Sequence, residues 1–248
     1  MLRVLHEFDD PTVLGPLGTE LVAIRNEPGC ATAEVYASLV AGEDFYALTM
    51  LWENEAAYDD FWKRALAGGH PVLVGLVTTA AAADPQDDRA STEFYRQEPF
   101  AFRGGRWVPE ADDEASRTIF WPAAGPVRII IQYAVQGSDA MHAAIDAEVA
   151  ETRREEGCLE YAWLENVELP DHLLLLELWA DQVVYDRHDA MRAATADFRG
   201  PTLRTPADPP RGPVSREFYR YQDFRHHYDR WQPEDPAAYA QAICWPAR

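Results

Sequence analysis

The second half of this chain repeats the first half, and the repeat limits the folds that the chain can adopt. Residues 92–100 have the sequence TEFYRQEPF, and residues 216–224 have the sequence REFYRYQDF. The same separation of 124 residues relates Trp107 to Trp231, and a Trp-Pro-Ala tripeptide follows each of them at the same distance. So many rare residues in one register indicate that the chain arose by duplication.

The repeat extends upstream of these segments with small shifts in spacing, as short insertions produce. The sequence RNEPGC at 25–30 matches RREEGC at 153–158. The boundary falls in the sequence Ala-Ala-Gly-Pro at 123–126, because Gly and Pro suit a short connection. We therefore predict two domains, residues 1–123 and residues 127–248, each with an aromatic C-terminal extension.

Apolar periodicity in the second repeat predicts alternating strands and helices. The predicted elements are a strand over 127–135, a helix from about 138, strands over 158–164 and 172–179, a helix over about 181–198 and a strand over about 215–221. This βαββαβ order is the ferredoxin-like arrangement. In the first repeat, Gly15, Pro16 and Gly18 fall in the first helix, so we expect that helix to start late or to be irregular.

The third strand of the second repeat is apolar on both faces. Leu173 and Leu175 point to one face, and Leu174 and Leu176 point to the other. Two helices cover only one face of a four-stranded sheet, so the other face needs a cover. We predict an α+β protein in which two ferredoxin-like units pack sheet to sheet within one chain. We therefore expect a monomer, or association through surfaces other than the interface between the sheets.

The composition excludes several classes of partner. The formal net charge of −20 argues against binding to nucleic acid or to an anionic membrane surface. The N-terminal residues lack the pattern of a signal peptide, and the three cysteines show no CxxC spacing. We expect a cytoplasmic protein that binds neither nucleic acid nor membrane.

Three features together resemble the antibiotic biosynthesis monooxygenase family. They are the R-x-E-x-G-C motif at 153–158, a strand that ends in Leu178-Trp179, and a histidine, His188, nine residues after that Trp. The resemblance covers about 127–200 well and about 2–80 more weakly. It implies a dimeric α/β barrel, here fused into one chain, with a pocket between sheet and helices in each unit.

The resemblance also implies a chemistry. Members of the family oxidise aromatic polyketide-like substrates with molecular oxygen and without metal or flavin, while others degrade haem, cyclise polyketides or isomerise small metabolites. His188 is the candidate catalytic residue, because a neutral imidazole can accept a proton from a phenol or an activated C–H. Phe61 occupies the equivalent position in the first repeat. Candidate substrate-binding residues are Trp179, Tyr161, Trp163, Tyr133 and Tyr185.

We therefore expect an oxidoreductase of specialised metabolism that converts a hydrophobic phenol or anthrone to a quinone with molecular oxygen and no cofactor or metal. A cyclase or isomerase with the same pocket, or a non-catalytic small-molecule binding protein, is the alternative. Trp62 and His70 loosely resemble the haem-degrading branch, which keeps haem among the possible ligands. The adjacent His226 and His227 are expected to be an exposed pair rather than metal ligands.

Overall fold

The protein is represented by a computed structural model in which the chain forms two compact units. The described residues are 1–83, 92–97, 100–103, 106–109, 125–134, 139–194, 216–227 and 230–233. Unit 1 consists of Met1–Ala37, Asp44–Gln97 and Gln222–Arg248, and unit 2 consists of Ser38–Glu43 and Glu98–Tyr221. Each unit therefore has its own core.

Unit 1 contains an antiparallel sheet with helices packed on it. Its first elements are β1 (Leu2–Phe8), α1 (Leu14–Ile24), β2 (Cys30–Ser38), β3 (Tyr46–Trp52), α2 (Glu55–Arg64), α3 (Pro71–Ala83) and β4 (Thr92–Arg96). The strands lie in the order β2-β3-β1-β4, and each neighbouring pair is antiparallel. This is the ferredoxin-like order of strands.

The first helix starts late, as its composition predicts. A 3₁₀ turn over Pro11–Val13 leads directly into α1 at Leu14. Pro16 lies in the first turn of α1, where a backbone N–H would have no intrahelical acceptor, so the proline removes no hydrogen bond. The α-helix has 11 residues, whereas the equivalent helix of the second repeat, Asp139–Thr152, has 14. The expectation of a late or irregular helix is therefore confirmed.

The helix α3 was not predicted from the sequence. A π-helical turn over Ala65–Gly69, with Gly68 at a φ of +101°, separates it from α2. The carboxylate of Glu20 on α1 then accepts hydrogen bonds from the backbone N–H groups of Val72 and Leu73, at 2.8 and 2.9 Å. This cap satisfies donors at the start of α3 that have no partner within the helix.

Unit 2 contains the elements predicted for the second repeat, with similar boundaries. They are β7 (Val127–Ala134), α4 (Asp139–Thr152), β8 (Cys158–Asn166), β9 (His172–Trp179), α5 (Gln182–Ala194) and β10 (Arg216–Arg220). The unit also contains two strands of the first repeat that were not predicted, β5 (Phe100–Arg103) and β6 (Arg106–Pro109). The main sheet has the order β10-β7-β9-β8, again antiparallel throughout. The strands β5 and β6 form a separate hairpin.

Both faces of β9 are buried, as its apolar sequence predicts. Leu173 and Leu175 pack with Ile145 of α4 in the core of unit 2. Leu174 and Leu176, on the other face, are also completely buried. The α+β class and the ferredoxin-like order are confirmed, whereas sheet-to-sheet packing of the units stays a prediction. Within the described part of the chain, no helix is long and apolar enough to span a membrane.

The end of the second repeat belongs to unit 1. The strands β11 (Asp223–His227) and β12 (Arg230–Pro233) form a hairpin, and β11 pairs with β4 through Asp223 opposite Glu93 and Phe224 opposite Thr92. The compact units therefore differ from the contiguous ranges 1–123 and 127–248, because the C-terminal extension of the second repeat extends the sheet formed by the first.

Candidate functional site

His188 lies on α5 and is buried against the sheet of unit 2, with 5% of its surface exposed. Its ring centroid lies 4.4 Å from that of Trp179 on β9 and 5.9 Å from that of Tyr161 on β8. Met191, which lies about one turn further along α5, is 45% exposed, so the buried face of the helix does not extend to it. The structure therefore places the candidate base among aromatic rings.

Glu155 holds one nitrogen of this imidazole. Its Oε2 atom lies 2.9 Å from His188 Nδ1. A carboxylate can only accept a hydrogen bond, so Nδ1 carries the proton whenever Glu155 is ionised, and Nε2 keeps its lone pair. Arg192, one turn further along α5, lies 3.4 Å from the other oxygen of Glu155 and restrains the carboxylate.

The turn after α4 positions Glu155. Gly157 in this turn has a φ of +85°, and a Cβ atom there would lie 2.8 Å from the side chain of Val184 on α5. The carbonyl of Gly157 also accepts a hydrogen bond from the Ala180 N–H at 2.8 Å. Only glycine suits both the backbone conformation and the close approach of α5. The R-x-E-x-G-C motif thus brings Glu155 beside His188.

A second carboxyl group faces the other nitrogen of His188. Glu177 is buried on β9, and its Oε2 atom lies 4.0 Å from His188 Nε2. The indole N–H of Trp179 donates a hydrogen bond to the same oxygen at 2.8 Å. His188 therefore lies between two carboxyl groups that differ in their surroundings.

These surroundings determine which groups are charged. Burial raises the pKa of Glu177 to about 8, and nearby carboxylates add to the rise although the Trp179 hydrogen bond opposes it. Burial lowers the pKa of His188, although its hydrogen bond to Glu155 opposes this change. At neutral pH the site therefore holds a neutral imidazole beside a protonated Glu177, which is an arrangement suited to accepting a proton at Nε2.

A third carboxyl group organises the adjacent aromatic residues. Glu148 of α4 accepts hydrogen bonds from the Tyr161 hydroxyl at 2.5 Å and from the Trp163 indole N–H at 3.1 Å. Burial raises the pKa of Glu148. Burial, with the negative charges of Glu177 and Glu148, also raises the pKa of Tyr161 well above its ordinary value, so Tyr161 remains a neutral phenol.

The predicted substrate-binding residues are all buried, but they do not all reach His188. Trp179 and Tyr161 contact its ring. Tyr185 is one ring further away, 6.5 Å from Trp179. Trp163 is linked to Tyr161 through the shared carboxylate of Glu148, and Tyr133 lies 5.5 Å from Trp163.

Residues 126–196 match the family model described as antibiotic biosynthesis monooxygenase. The second repeat is similar to this family. The resemblance predicted from its motifs is thereby confirmed, and it supports a monooxygenase-like domain for small molecules. The matched residues contain His188 and the three carboxyl groups around it.

The solved structures to which this chain is similar include several proteins of low sequence identity. A conserved protein from Methanosarcina mazei is 24% identical over 40% of this chain and 94% of its own, with a TM-score of 0.31. A protein from Caulobacter crescentus, provisionally described as an antibiotic biosynthesis monooxygenase, is 23% identical over 40% and 92%, with a TM-score of 0.31. A provisionally described monooxygenase from Fusobacterium nucleatum is 13% identical over 90% and 97%, also with a TM-score of 0.31. A comparison with curated proteins finds no match.

The carboxyl groups of the second repeat were not predicted from the sequence, although each has a signal there. Glu155 is the acidic residue of the R-x-E-x-G-C motif itself. Glu177 is the one charged residue in the strand sequence HLLLLELW, where an ionisable side chain requires an explanation. Glu148 stands beside Val149 on the buried side of α4. Its role depends on contacts with β8 that only the fold reveals.

Unit 1 contains a different set of groups at the corresponding positions. Phe61 replaces His188, as predicted, and Met50 replaces Glu177. Glu27 corresponds to Glu155 and is contacted by His70, whose Nε2 atom lies 3.2 Å from Glu27 Oε1. His70 thus contacts a carboxylate through Nε2, and its possible role as a haem ligand stays a prediction.

The remaining sequence candidates have structural contacts. His226 is half-buried rather than exposed, and its ring lies 5.5 Å from that of Trp62. The side chain of His227 lies outside the described residues.

Cys30 and Cys158 are half-buried at the starts of β2 and β8, and burial raises their pKa values to about 11 and 12. Among the side chains that the structure describes, no cluster of three or more His, Cys, Asp or Glu residues could hold a metal ion.

Proposed function

We propose that unit 2 is a cofactor-independent monooxygenase that oxidises an electron-rich aromatic small molecule, of the phenol or anthrone class, to a quinone. The observation that carries this proposal is the environment of His188. Its Nδ1 is held by Glu155, and its Nε2 faces a buried carboxyl group among aromatic rings. The family match of the second repeat supports the same class of chemistry.

The reaction begins with proton transfer to His188. Nε2 removes a proton from the activated C–H of the substrate, and Glu155 stabilises the resulting imidazolium. The substrate anion passes one electron to molecular oxygen, and the two radicals combine as a peroxide, which the imidazolium protonates. Loss of the second C–H proton then breaks the O–O bond and releases water. One molecule of anthrone and one of oxygen thus yield one molecule of anthraquinone and one of water.

Glu177 supports the proton transfer to His188 while its own carboxyl group is protonated. A neutral carboxyl group beside Nε2 adds no negative charge at the place where the substrate anion forms. If Glu177 ionises, its charge repels that anion and also stabilises the imidazolium at Nε2, which lowers the fraction of His188 able to act as a base. The raised pKa of Glu177 keeps it neutral at pH 7.

Oxygen uptake with anthrone tests the proposal directly. The purified full chain should consume oxygen above the spontaneous oxidation rate and form anthraquinone in equal amount, as measured with an oxygen electrode and by chromatography. Heat-denatured protein is the control. Conversion of a candidate substrate without oxygen uptake would instead indicate a cyclase or isomerase. Binding without any conversion would indicate a carrier.

The pH dependence of turnover should reflect both His188 and Glu177. Turnover should rise on the acid side as His188 loses its proton, below the ordinary pKa of histidine, and should fall as pH passes about 8, where Glu177 ionises. Glu177→Gln keeps an acceptor for the Trp179 indole but cannot ionise. The variant should therefore lose the alkaline decrease and keep the acidic limb, as measured by kcat/KM from pH 5 to 9.

A matched control separates this effect from the general loss of a buried acid. Glu217 on β10 accepts a hydrogen bond from Tyr219 at 2.8 Å, two residues further along the strand, as Glu177 does from Trp179. Glu217→Gln should keep the alkaline decrease. An unchanged alkaline limb in Glu177→Gln would contradict the assigned role of Glu177.

A further inference from the structure

A buried arginine lies close to the imidazole that is proposed as the base of unit 2. Arg192 follows His188 by one turn of α5, and its side chain is 11% exposed. Arginine side chains are mostly exposed in proteins, because a buried guanidinium needs partners for its charge and its N–H groups. The burial of Arg192 beside a proton acceptor therefore requires an explanation.

The acceptors around Arg192 lie at the end of α4 and in the turn that follows it. The guanidinium donates a hydrogen bond to the hydroxyl of Thr152, which is completely buried. It also lies 3.4 Å from Oε1 of Glu155 and 3.6 Å from Oε2 of Glu151. Thr152 thus anchors the positive charge next to the oxygen of Glu155 that His188 does not contact.

The first repeat has neither this arginine nor its anchor. The positions of His188, Arg192 and Thr152 are occupied in the first repeat by Phe61, Ala65 and Ile24. Glu27, which corresponds to Glu155, is instead contacted by Arg64, whose side chain is 46% exposed. Of the two repeats, the one with an imidazole at this position of the helix therefore also has the buried arginine and the buried threonine.

Arg192 opposes the effect of Glu155 on the charge of His188. Burial lowers the pKa of His188, the hydrogen bond and the negative charge of Glu155 raise it, and the positive charge of Arg192 lowers it again. A histidine paired with a carboxylate alone would keep its second proton to higher pH, and less of it would be able to act as a base. Arg192 therefore allows Glu155 to hold Nδ1 without filling the lone pair of Nε2.

The other ionisable groups around His188 come from each element packed against it. Glu177 on β9 lies 4.0 Å from Nε2, and the Tyr161 ring on β8 lies 5.9 Å from the imidazole. Glu148 of α4 accepts the hydrogen bond of the Tyr161 hydroxyl. Asp189, the next residue of α5, adds a negative charge that raises the pKa of His188. These groups are all acids, so a nearby positive charge is needed to oppose them.

We propose that Arg192 is a positioning residue for the reaction of unit 2, which holds Glu155 on Nδ1 of His188 and offsets its negative charge so that the imidazole remains a free base. This inference rests on the function proposed for the His188 site, but the effect of Arg192 on His188 can be measured without substrate. Arg192 takes no part in the proton transfer itself and acts through His188.

Arg192→Gln in the full chain tests this role. Without the positive charge, His188 should keep its proton to higher pH, so its ring signals in an NMR titration should move to higher pH. The signals are those that are absent from His188→Ala. The acid limb of kcat/KM for anthrone oxidation should move in the same direction, with a roughly three- to tenfold loss of kcat/KM on that limb, as expected for one partly screened charge. The alkaline decrease, which is assigned to Glu177, should not move.

Three variants separate the charge of Arg192 from its packing. Arg192→Lys keeps the positive charge and should restore the acid limb even if it lowers the Tm. Arg187→Gln removes an exposed positive charge that contacts the carbonyl of Glu156 at 2.9 Å, and it should change neither titration. Thr152→Val removes the anchoring hydroxyl but keeps the shape of the side chain. It should move the titration of His188 in the same direction as Arg192→Gln by a smaller amount, and it tests the proposal if Arg192→Gln does not fold.

The titration of His188 distinguishes failure of this inference from failure of the proposed function. If the wild-type chain does not oxidise anthrone but Arg192→Gln moves the titration to higher pH, the proposed function fails and the effect of Arg192 on His188 is supported. If the wild-type chain oxidises anthrone and Arg192→Gln leaves both the titration and the acid limb unchanged, the role of Arg192 is overturned. A move of the titration to lower pH would overturn it as well.

Discussion

Replacing His188 with alanine should lower the turnover of anthrone by about 10²–10⁴-fold, the usual contribution of a general base. The variant loses the Nε2 atom that takes the proton, while Trp179 and Tyr161 remain to bind the aromatic ring. Substrate affinity should therefore change little. Steady-state oxygen uptake measures turnover, and equilibrium binding under anaerobic conditions measures affinity without oxidation.

His70→Ala is the matched control, because it removes the imidazole that contacts the corresponding carboxylate in unit 1. Both histidines are buried. His70 contacts Glu27, and His188 contacts Glu155, the glutamate at the same position of the second repeat. Loss of either contact should reduce stability, but only His188→Ala should reduce turnover. Equal turnover in the two variants would mean that His188 has a structural role and that unit 2 has no base at this position.

The position of His188 was predictable because it depends on local periodicity. A helix that follows Trp179 places His188 toward the sheet whatever the rest of the chain does. The carboxyl groups beside it were harder to predict, since a contact between residues 155 and 188 or between 177 and 188 depends on how α5 crosses the sheet. Conversely, His70 reaches Glu27 through a π-helical turn at Gly68, and sequence periodicity gives no signal for that turn.

The strands themselves could also be predicted from local sequence, whereas a pairing between distant strands could not. Apolar and β-branched runs predicted every strand of the main sheet in unit 2, because a strand buried in a core carries such residues along its length. The partner of β11 was not predictable, since its pairing with β4 joins residues 92–93 to residues 223–224. The C-terminal extension of the second repeat therefore belongs to unit 1, although the sequence assigned it to the second domain.

Truncation after Gln222 should strongly destabilise the chain, because it removes β11, β12 and the side chains that they contribute to the core of unit 1. Trp231 packs 4.8 Å from Phe94 and 5.1 Å from Trp62, and Phe224 packs 5.2 Å from Phe94. Loss of one large buried aromatic residue costs about 3–5 kcal/mol of unfolding free energy. Thermal unfolding followed by circular dichroism should show a clearly lower Tm.

Two further variants test whether loss of the hairpin causes the expected destabilisation. Trp231→Ala should reproduce much of the destabilisation in a chain of full length. Truncation after Pro233 keeps both strands and Trp231, so the difference between the two truncated chains measures the contribution of the hairpin itself. If truncation after Gln222 leaves the Tm unchanged, β11 and β12 do not stabilise unit 1.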